Sequence, residues 1–470
     1  MANIVHALVE RHRRLGRGEA PAVIDDGGSW TFGELSDASA RAAGALRERG
    51  VGRGDRVAVL VPDGRRAVQA LLGAVRLGAI AVPLDPATPP ERLGAVLADC
   101  APAAVVTGAL DGPPEPVAEA GADEIACLVY TSGTTGRPKG VAHRHGALGA
   151  EAPSFLRDLA SAGPGDRCHA AARTCSALGF FIGLMRPLAA GAAVVLSPEG
   201  PSPRRALAVA EAQGVTILAA VPTIWLGIAA VLERRPREAA RLASVRLGVS
   251  SGDRLAAGAG ARLAAAGGPP LVDGLGSSEC GDIVLASRAG APGFARVTPG
   301  VDVRVADGAG GPLPPGAPGI MWVRTPAAAA GYWRRDDLTR RLRMGPWLRS
   351  EDVVVCRAGA LHHLGRADEL FKVDGHLVSP ADIERALAED PRVAEAAVVG
   401  TPQAGGLVRP AAFVVPAAGA APGGRLASDL RRHVARRLAP ALAPRHVVLT
   451  DALPRHASGK LDRARLLAAA

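Results

Sequence analysis

The sequence predicts an α/β protein built from a large N-terminal domain and a small α+β C-terminal domain. Two observations carry this. Before residue 302 short β-branched runs alternate with helical patterns, and after residue 365 the texture shifts to a compact mix of strands and one helix. Alternation of this kind argues for parallel-rich sheets with helices on their faces.

The elements follow in order. Ser36 to Arg49 repeats Ala and Leu at helical spacing, Arg56 to Val61 is a buried strand, Ala67 to Leu77 a helix and Ile80 to Leu84 the next strand. The rhythm returns with strand-like Ala192 to Leu196, helix-like Pro203 to Gln213 and strand-like Val215 to Val221. Two apolar runs, Leu242 to Val249 and Leu271 to Leu275, end in Gly/Ser-rich turns. Open α/β sheets bind ligands at the carboxyl ends of their strands, so a pocket belongs at these turns. Asp302 to Arg324 reads as short strands between Gly/Pro turns, a β-subdomain. Beyond it come the helix Pro380 to Leu387 and the strands Val393 to Val399 and Ala411 to Val415, with a domain boundary near Asp368 (domains 1–367 and 368–470).

Composition bounds the function. The chain has 470 residues, 48% of them hydrophobic, with 55 Lys plus Arg against 45 Asp plus Glu. The positive balance suits polyanionic partners. Only 3% of residues are aromatic and no basic stretch is interleaved with rings, which argues against nucleic acid. The six cysteines form no CxxC pair or zinc spacing, as expected of free thiols in a reduced compartment. The N-terminus has no apolar leader, and the apolar stretch Leu71 to Leu84 is interrupted by Arg76 and Pro83, so no bilayer span is expected. The absence of leader and span predicts a cytoplasmic protein; either a monomer or a homodimer is compatible with the sequence.

One segment carries chemistry by itself: Tyr130-Thr131-Ser132-Gly133-Thr134-Thr135-Gly136-Arg137-Pro138-Lys139-Gly140, after the apolar run Ile125 to Tyr130 and before an expected helix. Glycines let backbone N–H groups face an anion, hydroxyls add donors and lysine adds charge, which together make a phosphate cradle. It lacks Walker A spacing.

The segment resembles the phosphate-binding loop of the adenylate-forming superfamily, which includes acyl-CoA synthetases, adenylation domains and luciferases. The resemblance recurs in order: Ser29-Trp30-Thr31-Phe32-Gly33-Glu34-Leu35, Gly276-Ser277-Ser278-Glu279, Gly365-Arg366-Ala367-Asp368-Glu369 with Lys372 and Gly375, and Pro454-Arg455-His456-Ala457-Ser458-Gly459-Lys460. It implies ATP and Mg²⁺ as cofactors and a C-terminal domain that rotates about Asp368. Thr131, Ser132, Gly133, Thr134, Thr135, Gly136 and Lys139 would hold phosphates. Ser251, Gly252, Asp273, Gly274, Leu275, Gly276, Ser277 and Ser278 would line the AMP site. Asp352 and Arg366 would take the ribose, and Glu279 with Thr131 the metal. Lys460 would offset the repulsion between carboxylate and α-phosphate as charge develops. Lys372 and Gly375 would line the thiol channel.

Tyr332-Trp333 and Gly345-Pro346-Trp347-Leu348-Arg349 resemble benzoate-CoA ligases. The implied substrate is a small aromatic acid, with amino or hydroxy substituents admitted, transferred as its acyl-AMP to coenzyme A or to the phosphopantetheine of an acyl carrier protein. Leu178, Ala220, Gly274, Gly276 and Asp282 would form the acid pocket. Asp282 stands where benzoate-type ligases carry a histidine; it either pairs with a ring substituent, helped by Arg173 or Arg254, or caps a helix and faces away. Two further positions depart from the pattern. Leu275 replaces an aromatic under the adenine. Ser350-Glu351-Asp352 replaces TGD, and a left-handed backbone at Glu351 would cost roughly 1–2 kcal/mol. His143 and His145 read as helix-start residues near the nucleotide. A diazotase that activates nitrite for an aryl amine, and a degenerate nucleotide-binding module, are the alternatives.

Overall fold

The computed structural model describes residues 3–131, 138–256, 258–291, 293–374, 376–403, 408–417, 419–420, 423–455 and 461–470. Two large sheets form the N-terminal part. In the nine-stranded sheet the strands Pro21–Asp25, Ala193–Val195, Arg167–Ala171, Ile217–Ala220, Leu247–Ser251 and Leu271–Ser277 run parallel in that spatial order. Antiparallel Gly28–Thr31 closes one edge, and Asp282–Arg288 followed by Arg296–Val297 the other. The six-stranded sheet has a parallel core of Ala104–Val106, Arg56–Val59, Ile80–Pro83 and Ile125–Thr131, extended by antiparallel Lys139–Arg144 and Gly331–Tyr332.

The helices cover these sheets for reasons visible in the chain. Phe32–Glu48 starts at Thr31, whose hydroxyl accepts from the Glu34 N–H while the Glu34 carboxylate accepts from the Thr31 N–H. Its start is four residues earlier than the Ala/Leu periodicity suggests. Pro203–Gln213 has its expected bounds, fixed by the Ser202 cap and left-handed Gly214. The run Leu242 to Val249 divides: Leu242 closes a 3₁₀ turn, and the strand begins only at Leu247.

The expected helix after the phosphate loop is replaced by a hairpin. Lys139–Arg144 pairs with Ile125–Thr131, and a single helical turn, His145–Leu148, follows. The alternation Val141-Ala142-His143 buries both faces between neighbouring layers, which favours a strand.

A five-stranded antiparallel sheet follows, with Asp302–Ala306, Gly319–Arg324, Trp347–Arg357, Arg343–Met344 and Ala360–Arg366. Glu351 lies within its long strand and is absent from the residues with positive φ, so the strain anticipated there does not arise. After the two-stranded ribbon Phe371–Val373/His376–Val378 comes a three-stranded sheet, Val393–Pro402, Val408–Pro416 and His446–Leu449, with the helices Pro380–Ala388 and Gly424–Arg437. This unit has its own core of Val398, Ala412, Val414, Ile383, Leu387, Leu430 and Val434. The whole is the α/β architecture expected, a large N-terminal part of several sheets and a small C-terminal one.

Candidate functional site

A wide cleft opens at the carboxyl ends of Leu247–Ser251 and Leu271–Ser277. Thr131, Lys139, Gly252, Asp273 to Glu279, Tyr332, Asp352, Arg366, Glu384, Arg455 and Arg463 all border it. Strand register does much of the assembly. Thr131 and Lys139 are direct partners across the hairpin, so both flanks of the phosphate-loop segment sit together. Ser132, Gly133, Thr134, Thr135 and Gly136 lie outside the described residues.

Glu279 follows the last strand of the parallel set. Its Oε1 accepts from the Tyr332 hydroxyl at 2.7 Å, and Lys139 Nζ stands 5.8 Å from the Tyr332 ring centre. Burial and the Glu279 charge raise the Tyr332 pKa, so the phenol stays a neutral donor. In the sequence Tyr332 stands out only within the Tyr332-Trp333 similarity; nothing local marks it as the partner of Glu279. Two oxygens of opposite proton character beside a lysine form a place where a hard cation and phosphate oxygens can meet.

Gly276 is required by close approach. A Cβ there would fall 2.3 Å from the Asp282 carbonyl oxygen, at the register shift between Leu275 and Gly276. A Cβ at Gly274 would fall 2.9 Å from the Ile283 side chain. Leu275 reaches the cleft as an apolar wall. Ser277 accepts from the Cys280 N–H at 3.2 Å, and Ser278 is buried. Ser251 is buried at the strand tip, and Gly252 has φ 95°. Burial pushes the Asp273 carboxyl up to about 7, against the opposing pull of Arg254 and the Gly274 N–H.

Asp352 and Arg366 are cross-strand partners in the β-subdomain. Asp352 Oδ1 also meets His363 Nε2 at 2.9 Å. Burial works against the Arg366 charge, but Asp368, Asp352, Glu369 and Glu351 outweigh it and hold its pKa above the usual value. Asp368 lies 3.3 Å from Arg366 Nε, between the β-subdomain and the C-terminal unit. Lys372 is exposed on the ribbon beyond it, and Gly375 lies outside the described residues.

Lys460, too, falls outside the described residues. Its neighbours do not: Arg455 and Leu461 form an antiparallel bridge, both border the cleft, and the Leu461 N–H points to Asp253 Oδ2 at 3.4 Å. Arg463 donates to Glu384 at 2.8 Å and lies 3.5 Å from Glu369.

Of the residues expected in the acid pocket, Gly274 and Gly276 border the cleft and the others do not. Leu178 and Ala220 are buried in the cores, and Ala177, Pro222, Thr223 and Leu226 border the cleft instead. Asp282 pairs with neither Arg173 nor Arg254. Its carboxylate lies 3.0 Å from Arg186 Nε, both side chains are sealed from solvent, and its Oδ1 accepts from the Ile283 N–H at 2.7 Å. Arg173 is held by Asp63 and Asp85, and Arg254 by His363. Of the two histidines read as helix starts, His145 does open a helical turn, where its Nδ1 accepts from the Ile4 N–H at 3.2 Å, whereas His143 lies in a strand and packs edge-on against Phe181. Among the described residues no cluster of His, Cys, Asp and Glu could hold a metal, and no helix is long and apolar enough to cross a membrane.

A cleft at strand tips, bordered by a small C-terminal unit and by the flanks of two Gly-rich segments, describes a class of nucleotide-activating enzyme. A family model described as AMP-binding enzyme matches residues 10–119 and 107–333, and one for the AMP-binding enzyme C-terminal domain matches residues 382–460. The chain belongs to this family of AMP-forming acid–CoA ligases, the adenylate-forming superfamily. It is 33% identical to a 3-hydroxybenzoate–CoA ligase of Aromatoleum sp. (strain CIB) across 96% of this chain and 94% of that protein. Among solved structures it is similar to the anthranilate CoA ligase AuaEII in complex with anthranoyl-AMP (TM-score 0.88, 28% identity, 99% of this chain and 97% of that one). It is equally similar to a benzoate CoA ligase from Burkholderia xenovorans LB400 (TM-score 0.88, 30% identity, 99% of each chain).

Proposed function

We propose that this protein activates a small aromatic carboxylic acid with ATP and transfers the acyl group to the thiol of coenzyme A. The observation that carries the reading is convergence: Thr131, Lys139, Glu279, Asp352, Arg366 and both neighbours of the Lys460 segment border one cleft. Relatives named for benzoate, hydroxybenzoate and anthranilate ligation support the aromatic class.

In the first half-reaction a carboxylate oxygen attacks the α-phosphorus and pyrophosphate leaves, giving the acyl-AMP. Lys139 and the hydroxyl-rich loop neutralise the departing phosphates. Glu279, supported by Tyr332, would hold a Mg²⁺ ion, a hard cation needing few protein ligands that would supply positive charge to the phosphates. Asp352 and Arg366 take the ribose. Lys460 would offset the repulsion between the two anions as charge develops in the transition state. In the second half-reaction the C-terminal domain (368–470) turns about Asp368. The thiolate, entering past Lys372 and Gly375, then attacks the acyl carbon and AMP leaves. Asp282 takes no part in selecting a ring substituent, because its charge is already matched by Arg186.

ATP–pyrophosphate exchange against a panel of benzoate, hydroxybenzoates and aminobenzoates, followed by thioester formation with coenzyme A, tests the reading. Exchange with at least one aryl acid and its capture by coenzyme A is the expected result. ATP binding without exchange for any acid would turn the assignment toward a nucleotide-binding module. Activation of nitrite with an aryl amine would turn it toward a diazotase.

A further inference from the structure

The ladder between Trp347–Arg357 and Ala360–Arg366 is irregular at one point. Asp352 pairs with Arg366 and Val353 with Gly365, but Val354 then pairs with His363 and Leu364 is skipped. In a regular ladder His363 would face away from Asp352, since side chains alternate along a strand. The extra residue re-aims it: His363 now shares a face with Val354 and hence with Asp352, two residues along. The carbonyl of Leu364, the bulged residue, accepts from the Ser379 hydroxyl, which ties the irregularity down.

Two contacts follow. His363 Nε2 lies 2.9 Å from Asp352 Oδ1, with both side chains largely shielded. On the other side of the ring, Arg254 Nη2 donates to the His363 carbonyl at 3.0 Å and stands 3.4 Å from Nδ1. A guanidinium can only donate. Nδ1 therefore presents its lone pair to Arg254, and the ring proton sits on Nε2, where it is donated to Asp352.

We propose that His363 is a positioning residue for the nucleotide: its Nε2–H holds the Asp352 carboxylate in the orientation that accepts the ribose hydroxyls, and Arg254 fixes the imidazole tautomer that makes this possible. The inference rests on the reading of Asp352 as the ribose ligand. It adds a residue that neither the motif nor the strand pattern marks, because only the bulge brings it to the site.

The test is calorimetric titration of the full chain with ATP, 2′-deoxy-ATP and 3′-deoxy-ATP, for wild type, Asp352→Ala, His363→Phe and His363→Gln. Wild type is expected to prefer ATP to the deoxy analogue by about tenfold or more, the scale of a hydrogen bond to a charged group. His363→Phe should weaken ATP by about tenfold while leaving the deoxy analogue nearly unchanged, so that the preference collapses. His363→Gln, which keeps a donor, should recover part of it. A folded His363→Phe that retains the wild-type ribose preference overturns the inference, as does an equal loss for all three nucleotides. A wild type without any preference, or a preference that survives in Asp352→Ala, removes the ribose reading and this inference together, whereas a preference lost in Asp352→Ala but kept in His363→Phe removes this inference alone.

Discussion

Tyr332 donates its phenolic hydrogen to Glu279 at 2.7 Å, and the two arrive from different sheets. Gly331–Tyr332 is an edge strand on Lys139–Arg144, whereas Glu279 follows Leu271–Ser277. The bond thus joins the strand that begins with Lys139 to the carboxylate proposed to hold the metal. Tyr332→Phe removes one donor from that carboxylate and lets it reorient. The expected outcome is a rise of about tenfold in the Mg²⁺ concentration for half-maximal pyrophosphate exchange, from the lower part of the range for charged hydrogen bonds. The KM for the acid should stay unchanged. A magnesium titration of both proteins checks this.

Arg186 and Asp282 form a buried ion pair whose value lies in being complete. Asp282→Ala leaves a sealed guanidinium without its counter-charge, and losses of about 3–5 kcal/mol are typical of such breakage. Arg186→Met combined with Asp282→Leu removes both charges and should cost much less than either single change. Denaturant unfolding of the two single variants and the double variant measures the coupling. In exchange assays Asp282→Asn should lower activity equally across amino-, hydroxy- and unsubstituted benzoates.

Much of the site is readable along the chain because its parts are local. The segment proposed to hold phosphates, the Gly276 to Glu279 turn and the Asp368 region are each short runs whose residue types suggest their chemistry. What the chain hides is contact between distant runs. Arg186 sits in an apolar helical stretch and gives no sign that Asp282 lies opposite. His363 looks like any strand residue, because a bulge leaves no mark in a run such as Leu361-His362-His363-Leu364. The hairpin at Lys139–Arg144 is hidden for another reason: a buried four-residue run carries too little periodicity to separate strand from helix. The early start of the first long helix, by contrast, was written in Thr31 and Glu34, a capping-box spacing that the Ala/Leu pattern overshadowed.

Three buried histidines predict an acid limit to stability. Burial lowers His143 to about 3 and His145 and His169 to about 4. In the unfolded chain each titrates near 6.5. Their folded pKa values are depressed, so the unfolded state binds more protons between about pH 6.5 and pH 4. Stability is fully present above pH 6.5 and falls as pH drops through that window, by up to roughly 1.4 kcal/mol per pH unit for each histidine. Thermal melts at pH 7.5, 6 and 5 should show a steepening decline, and His169→Gln should make it shallower.

Two glycine substitutions separate close approach from mere flexibility. At Gly276 a methyl group would lie 2.3 Å from the Asp282 carbonyl oxygen, a backbone atom in a paired strand that cannot swing aside. Gly276→Ala must therefore shift the ladder that carries Glu279, at a cost of about 1–3 kcal/mol for forced packing. Pyrophosphate exchange should fall more than the melting temperature suggests, because the shift moves Glu279 relative to Tyr332. Gly94 is the contrast. It is exposed in the helix Pro90–Cys100, and a methyl group there meets nothing within 4 Å. Gly94→Ala should stabilise the protein by roughly 0.5–1 kcal/mol through helix propensity, with exchange unaltered. Measuring both variants by thermal melting and exchange checks the contrast, and a Gly276→Ala protein with wild-type exchange would show that the approach of the two strands is unimportant to the site.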